Sequence, residues 1–471
     1  MADPTIEALA AYDGAVIRKG PGLEVRDPAA LRTRATDRLA HQAVFGGQDD
    51  REAARWVLWE LGQAVGCRPG SIHDLYIARG RGECGGFTVP AINVRMLAYD
   101  TARAVFRAAR AGDAGAIILE IARSEIAYTE QRPAEYVAVM IAAALREGHP
   151  LPLFIQGDHC QVNAKKYATD PDGEVGEVKK LIAEEIGAGF YNIDVDTSTL
   201  VDLSYPTLAE QQRLNYERCA EITAFIRDLE PDAVTVSVGG EIGEVGHKNS
   251  TVEELHAFMQ GYTASLARLG SHAGLSKISV QTGTSHGGVV LPDGSIADVK
   301  LDLDALAALS KAAREIYHLG GAVQHGASTL PPDAFGNFPR VETAEIHLAT
   351  NFQNIVFDHP RLPGGLRDEM KAWLAANAQS ERKAGDSEEQ FYYKARKRAI
   401  GPFKRQLWEL PEDVRAAMAA ALEKTFVFLF AQLKVNRTAE LVRRFVRAPV
   451  QHHAALKPAL VTAVDDAEAG E

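Results

Sequence analysis

The sequence predicts an α/β protein, a (β/α)8 TIM barrel with helical N- and C-terminal extensions. Three observations predict it. From about residue 86, short apolar runs alternate with amphipathic stretches of helical period, close to eight times over roughly 290 residues. Polar residues suited to chemistry fall at the C-terminal ends of those runs, the end where a barrel gathers its active site. No GxGxxG follows the first run, so the competing doubly wound sheet lacks its phosphate-binding fingerprint.

Residues 1–80 read mostly as helix. AALRTRATDRLAHQAVF and REAARWVLWELGQAV repeat apolar residues every three or four positions, and Gly70 marks a break. The barrel is expected over 81–375. Its strands are GGFTVPAINV, AGAIILEIA, LPLFIQGDHC, FYNIDVDTS, DAVTVSVGGEIG, SKISVQTGTS and GAVQHGAS, with the last around AEIHLATN or NFQNIVF. The intervening helices include ARAVFRAARAG, PAEYVAVMIAAALREG, EVKKLIAEEIGAG, the long LAEQQRLNYERCAEITAFIRDL, VEELHAFMQGYTASLARLG, LDALAALSKAAREIYHLG and a short VETAEIHLA. Residues 376–471 form a second helical extension, basic around YYKARKRAIGPFKR and acidic at its end.

Composition narrows the class. Of 471 residues, 46% are hydrophobic and 24% charged, which excludes a fibre or a disordered chain. Asp and Glu (63) outnumber Lys and Arg (51), for a net charge of -12. That disfavours a nucleic-acid partner while leaving room for a local anion pocket. Cys67, Cys84, Cys160 and Cys219 form no CxxC pair, as expected for free thiols in a reducing cytoplasm. MADPTIEALA has no basic leader before an apolar stretch. The greasiest stretch, FVFLFAQL, is too short for a bilayer, so no membrane partner is expected.

The strand ends carry Asp158-His159, Asp194, Glu241, His286, His325, His347 and Asn351. Imidazoles with a carboxylate are the donors expected for Zn²⁺ or another divalent ion. Such an ion polarises a carbonyl, and proton removal beside that carbonyl needs a nearby base. Asp158 is the leading base; it could instead orient a ligating histidine. Adjacent strand residues face opposite ways, so Asp158 and His159 share a pocket only if the chain turns there. His286-Gly287-Gly288 and His325-Gly326-Ala327-Ser328, with Thr350-Asn351, could form a phosphate nest. Arg95, Arg123, Lys165 and Lys166 are further anion candidates, with surface or bracing roles as the alternative. Cys160 is expected to pack and not to ligate.

These motifs resemble the class II, metal-dependent fructose-bisphosphate aldolase family. FTVPAINV resembles its first barrel strand, GDHC its Asp-His strand end and GEIGEVG its metal-site glutamate segment. GTSHGG and QHGAS resemble its two histidine-glycine loops, and HLATNFQN its substrate loop on the last strand. The resemblance spans roughly 86–360, and extends weakly to FYYKARKRAIGPF. It implies that His159, His286 and His325 bind zinc, with Glu241 as an alternative or second-site metal ligand. A monovalent cation is a further candidate. It implies proton handling at the C4 hydroxyl by Asp158, and substrate or phosphate contacts from Asn93, Gly287, Gly326, Ser328, Thr350 and Asn351. The implied reaction is reversible cleavage of fructose 1,6-bisphosphate to dihydroxyacetone phosphate and glyceraldehyde 3-phosphate. That places the chain in glycolysis and gluconeogenesis, in the cytoplasm, as a homodimer or higher homo-oligomer acting on a phosphorylated sugar.

Two departures from the family pattern stand out. The last strand usually reads Asn-Val-Asp-Thr-Asp, and here reads His347-Leu348-Ala349-Thr350-Asn351. After GEIGEVG the family usually has a glycine and an acidic pair for proton transfer; this chain has His247-Lys248-Asn249. Glu244, His247 and His347 are therefore the candidate replacements in catalysis. The changes motivate alternatives: a tagatose-bisphosphate aldolase, a metal-dependent sugar (phosphate) epimerase using retro-aldol chemistry, or a non-catalytic barrel scaffold.

Overall fold

The computed structural model describes residues 4–243, 248–283 and 301–453. Among them, β1 (Val16–Lys19) and β2 (Gly22–Val25) form an antiparallel hairpin. β3 (Pro69–Gly70) is followed by β4 (Val89–Asn93), β5 (Ile118–Ala122), β6 (Leu153–Gln161) and β7 (Asn192–Asp196). Then come β8 (Ser237–Glu241), β9 (Lys277–Val280), β10 (Ala322–Gln324) and β11 (Glu345–Leu348). Strands β4 to β11 pair in chain order and in parallel, and β11 pairs back onto β4. The sheet is thus a closed eight-stranded parallel (β/α)8 barrel. β3 adds to β6 through Pro69 opposite Leu153.

Parallel strands covered on both faces read as short apolar runs, and β4, β5, β7, β9, β10 and β11 are buried at every position. The helices between them start and stop on local chemistry. Thr251 and Glu254 form a reciprocal capping box at Val252–Leu269, and the Asp302 carboxylate accepts from the Ala305 N–H at Leu303–Glu315. Gly148, at φ 64°, ends Pro133–Glu147 in the left-handed conformation a residue with a Cβ resists.

Four local expectations change. VETAEIHLA is not helical: residues 341–344 connect the short helix Asn337–Arg340 to β11, and EIHL is the strand. NFQNIVF lies instead in the helix Thr350–Phe357, whose Phe352 and Val356 bury one turn apart. The long helix breaks at Gln212 into Leu208–Gln211 and Arg213–Leu229. The hairpin was hidden in a stretch read as helix; its two-residue loop is Gly20-Pro21, with Gly20 at φ 58°.

Helices Arg34–Phe45 and Gln48–Val65 pack together and against Pro133–Glu147. The long helix Glu412–Gln432 lies along Ala98–Gly112. Arg107–Glu423 (2.6 Å) and Arg415–Asp100 (2.8 Å) tie these two helices at their polar margins. No described helix is long and apolar enough to cross a membrane.

Candidate metal and catalytic site

β6 shifts register against β7 between Gly157 and Cys160, and His159 sits at φ 43°. This bulge re-aims the chain. Consecutive residues Asp158 and His159 reach the same pocket, with His159 Nε2 3.9 Å from Asp158 Oδ1. Cys160 turns outward and its thiol donates to Glu185 Oε2 at 3.3 Å on the helix Pro171–Ala188. Burial pushes the Glu185 carboxyl up to about 8, against the opposing pull of that thiol.

Three imidazoles form a row across the barrel mouth. The His159 and His325 ring centroids are 4.2 Å apart, and those of His325 and His347 3.9 Å. His325 lies just past β10 and is held at Nε2 by Ser279 Oγ, 3.1 Å away on β9. Glu241 ends β8 with Oε2 3.6 Å from His159 Nδ1, and Asp196 Oδ2 is 3.3 Å from the same nitrogen. His159, Glu241 and His325 each offer one donor atom within 4.8 Å of the others, as do Asp158, His325 and His347. This nitrogen-and-oxygen donor chemistry fits a divalent ion of the zinc type.

Beneath the row lies a buried charge network. Lys277 Nζ donates to Glu345 Oε1 (2.5 Å) and Gln156 Oε1 (2.7 Å), and pairs with Asp194 Oδ1 (2.8 Å). These partners sit on β11, β6 and β7, none adjacent to β9, so the contacts run through the barrel interior. Gln156 Nε2 bridges Glu120 Oε2 and Glu345 Oε1, each at 3.0 Å, and the Tyr76 hydroxyl donates to Glu345. His347 sits among four carboxylates. Its Nδ1 is 3.0 Å from Glu120 and 3.2 Å from Asp158; its Nε2 is 2.8 Å from Glu345 and 3.6 Å from Asp194.

Burial penalises every charge here, and the neighbours decide which groups keep theirs. Burial, reinforced by Asp158, raises Glu120 to about 8 despite His347. Burial and Asp196 raise Glu241 to about 8 despite His159. Burial also opposes ionisation of Glu345, but Lys277 and His347 overcome it and hold the carboxyl at about 2. Burial would lower His159 and His347; Asp158 and Asp196 around the first, and Glu120 and Asp158 around the second, raise both well above the ordinary range. A pocket with this excess of carboxylate is one that a divalent cation stabilises.

The other expected contacts separate. Gly326, at φ 68°, makes the turn after β10, and Ser328 Oγ accepts the Ala349 N–H at 2.6 Å, tying that turn to the end of β11. Thr350 opens the helix Thr350–Phe357 and Asn351 is exposed beside it. Asn93 is buried, with its amide donating to Glu125 (2.6 Å) and its carbonyl accepting from Arg95 (3.1 Å). Arg95 also pairs with Glu125, and Arg123 with Glu174 at 2.7 Å, so both guanidiniums brace carboxylates. Lys165 and Lys166 lie at the exposed start of Ala164–Thr169. Glu244, His247, His286 and Gly287 lie outside the described residues.

Sequence reading missed Glu120, Asp196, Lys277 and Glu345. The available signal was a charged residue inside an otherwise apolar strand, as in ILEIA, KISV and EIHL, where a doubly covered strand is normally apolar throughout.

The family model described as fructose-bisphosphate aldolase class-II matches residues 81–407, more than two thirds of the chain. The chain belongs to this family. No curated protein matches it. Among solved structures, it is similar to a "probable tagatose 6 phosphate kinase" from Sinorhizobium meliloti 1021, at 17% identity and a TM-score of 0.53, covering 75% of this chain and 100% of that one. That likeness is one of fold. It is also similar to fructose-bisphosphate aldolase from Campylobacter jejuni, at 18% identity and TM-score 0.45, covering 79% and 98% of the two chains. Fructuronate-tagaturonate epimerase from Cohnella laeviribosi aligns at 13% identity and TM-score 0.49, covering 94% and 99%.

Proposed function

We propose that this class II aldolase family member is a divalent-metal lyase that cleaves and forms a ketose bisphosphate reversibly. The substrate is fructose 1,6-bisphosphate, and the products are dihydroxyacetone phosphate and glyceraldehyde 3-phosphate. The observation that carries this reading is the convergence of His159, His325, Glu241 and Asp158 at the C-terminal mouth of the barrel. His159, Glu241 and His325 hold the metal, with His286 as the further ligand implied by the family resemblance. When bound, the ion polarises the ketose carbonyl and stabilises charge developing next to it.

The remaining roles belong to this chain's side chains. Asp158, facing the row from the β6 bulge, takes the proton from the C4 hydroxyl as the C3–C4 bond breaks. His347, 3.2 Å from Asp158, keeps that carboxylate oriented. Glu345, fixed by Lys277, anchors the far nitrogen of His347 at 2.8 Å. Gly326 and Ser328, joined to the end of β11, offer N–H and hydroxyl donors to a phosphate, with Thr350 and Asn351 alongside. We place the protein in the cytoplasm as a homo-oligomer, following the family.

One observation favours a second reading. His347 replaces the asparagine the family usually carries, and gives the pocket a second proton-handling group beside Asp158. Such a pair suits retro-aldol cleavage followed by re-addition with the opposite C4 configuration, as in a sugar (phosphate) epimerase; a tagatose-bisphosphate aldolase, which cleaves the C4 epimer without re-addition, is the lyase counterpart. A zinc-loaded preparation incubated with ketose bisphosphates of both C4 configurations, and followed by NMR, separates them. Triose phosphate release supports the lyase. A C4-inverted sugar without net triose supports the epimerase, and no turnover of any ketose at full metal occupancy rejects both.

A further inference from the structure

The helix Glu412–Gln432 is apolar on both of its faces. Val414, Met418, Leu422, Phe426 and Leu429 are buried, and the helix lies along Ala98–Gly112. On the opposite side Ala416, Ala420, Val427, Phe428 and Ala431 are exposed, Val427 at 47% and Phe428 at 37%. Their spacing of three and four residues gathers them into one outward stripe. A helix that is apolar all round is normally covered all round. Phe428 also borders a cavity of about 620 Å³ walled in part by Leu330, Pro332 and Phe335, which widens the apolar surface beside the stripe. The family match ends at residue 407, so this helix lies outside it.

The charges along the stripe say what covers it. Exposed Glu412 and Asp413 open the helix, Glu423 and Lys424 lie at its middle, and exposed Lys434 and Arg437 follow its end. This order is complementary to itself when reversed. In an antiparallel pair with a second copy, Asp413 faces the partner subunit's Lys434, and Glu423 faces the partner subunit's Lys424. In the same register Ala416 faces the partner subunit's Ala431, and Ala420 faces the partner subunit's Val427. Opposite charges then meet at both ends and at the axis, with small residues between them where the backbones approach. Asp413 and Glu423 already hold Arg361 and Arg107 of their own chain, and neither is buried. A parallel pair would set Glu412 and Asp413 against their own copies.

We propose that the outward face of Glu412–Gln432 binds a second copy of this chain, the two helices packing antiparallel across a two-fold axis near Glu423 and Lys424. The proposal goes beyond the homo-oligomer expected from the family, because it places the contact on a helix outside the matched residues.

Sedimentation velocity of the full-length, zinc-loaded protein over a range of concentrations tests it. Wild type is expected to sediment as a dimer. Ala420→Glu and Val427→Lys are each expected to weaken dimerisation at least about a hundredfold, the effect of burying an unpaired charge. Both positions are exposed in the single chain, so each variant is expected to keep the wild-type far-ultraviolet circular dichroism. Mixing the two variants is expected to restore a dimer, because Glu at 420 then faces Lys at 427 across the axis. Dimers that survive both substitutions put the oligomer on another face and reject this surface alone. Single chains of wild type at every concentration reject it together with the oligomer expected from the family. Monomeric variants that fail to recombine overturn the antiparallel register.

Discussion

At the scale of single residues, His325 is the hub of the site, since it belongs to both donor groups of the barrel mouth and is fixed by Ser279. His325→Ala is expected to lose bound zinc and to lower aldol turnover at least about a thousandfold, with little change in thermal stability. Metal content by emission spectrometry, beside a coupled triose assay, checks it; full zinc retention contradicts it. Glu185 gives a pH signature. Its carboxyl is raised from 4.5 to about 8 by burial. In the window between those values the native state keeps a proton that the unfolded chain has released. Stability from this group is therefore complete below 4.5 and falls as pH rises toward 8, by about 1.4 kcal/mol per pH unit. Glu185→Gln cannot ionise, so urea denaturation at pH 5, 6, 7 and 8 should show the variant gaining on wild type along that slope. A constant difference across the series contradicts it. Asp158, His159 and His325 were legible because polar residues at the ends of apolar strands stand out. Glu120, Lys277 and Glu345 were not, because a single charge within a four- or five-residue strand has no local partner, and its partners come from strands far apart in sequence.

At the scale of elements, the β6 bulge makes adjacent Asp158 and His159 share one face. The need for a turn there was readable; its form, with His159 at φ 43° and a register shift against β7, depends on pairing that a lone strand does not encode. The last strand lies within AEIHLATN, one of its two expected places, whereas the helix expected over VETAEIHLA does not form. VETAEIHLA has helical spacing, but β4 and β10 offer open edges on both sides of EIHL, and pairing with both decides its state. β8 shows how tightly the interior is filled. A Cβ on Gly239 would lie 2.3 Å from Asp194 Oδ1 and 2.9 Å from Lys277 Cε. Gly239→Ala should force the Lys277–Asp194 pair apart and cost about 1–3 kcal/mol, the range for overpacking a filled core. Chemical denaturation measures the cost, and a wild-type midpoint would show the interior to be looser than described.

At the scale of the whole molecule, the N-terminal helical extension meets the segment around residues 451–453. Glu60, buried in Gln48–Val65, accepts the His453 N–H at 3.0 Å and contacts His452 Nδ1 at 2.7 Å. The Trp56 and Trp59 indoles donate to the carbonyls of His453 and Gln451, and the His453 ring stacks on Trp59 at 3.8 Å. The helical character of both extensions was visible in their spacing, whereas this clasp joins residues nearly 400 apart through side chain to backbone bonds that no local pattern announces. Glu60→Ala should cost about 1 kcal/mol by leaving the half-buried His453 N–H without its carboxylate, and should expose the segment around Gln451 to limited proteolysis. An unaltered digestion pattern would assign the clasp no weight.

The central claim, that this barrel uses a divalent ion to make and break a carbon–carbon bond beside a carbonyl, is tested most directly by the half-reaction with dihydroxyacetone phosphate alone. In D2O, the zinc-loaded protein is expected to exchange one of the two C3 hydrogens stereospecifically by NMR, to lose the exchange on chelation, and to regain it when zinc is restored. Full zinc occupancy with no exchange at C3 and no triose released from fructose 1,6-bisphosphate would contradict it.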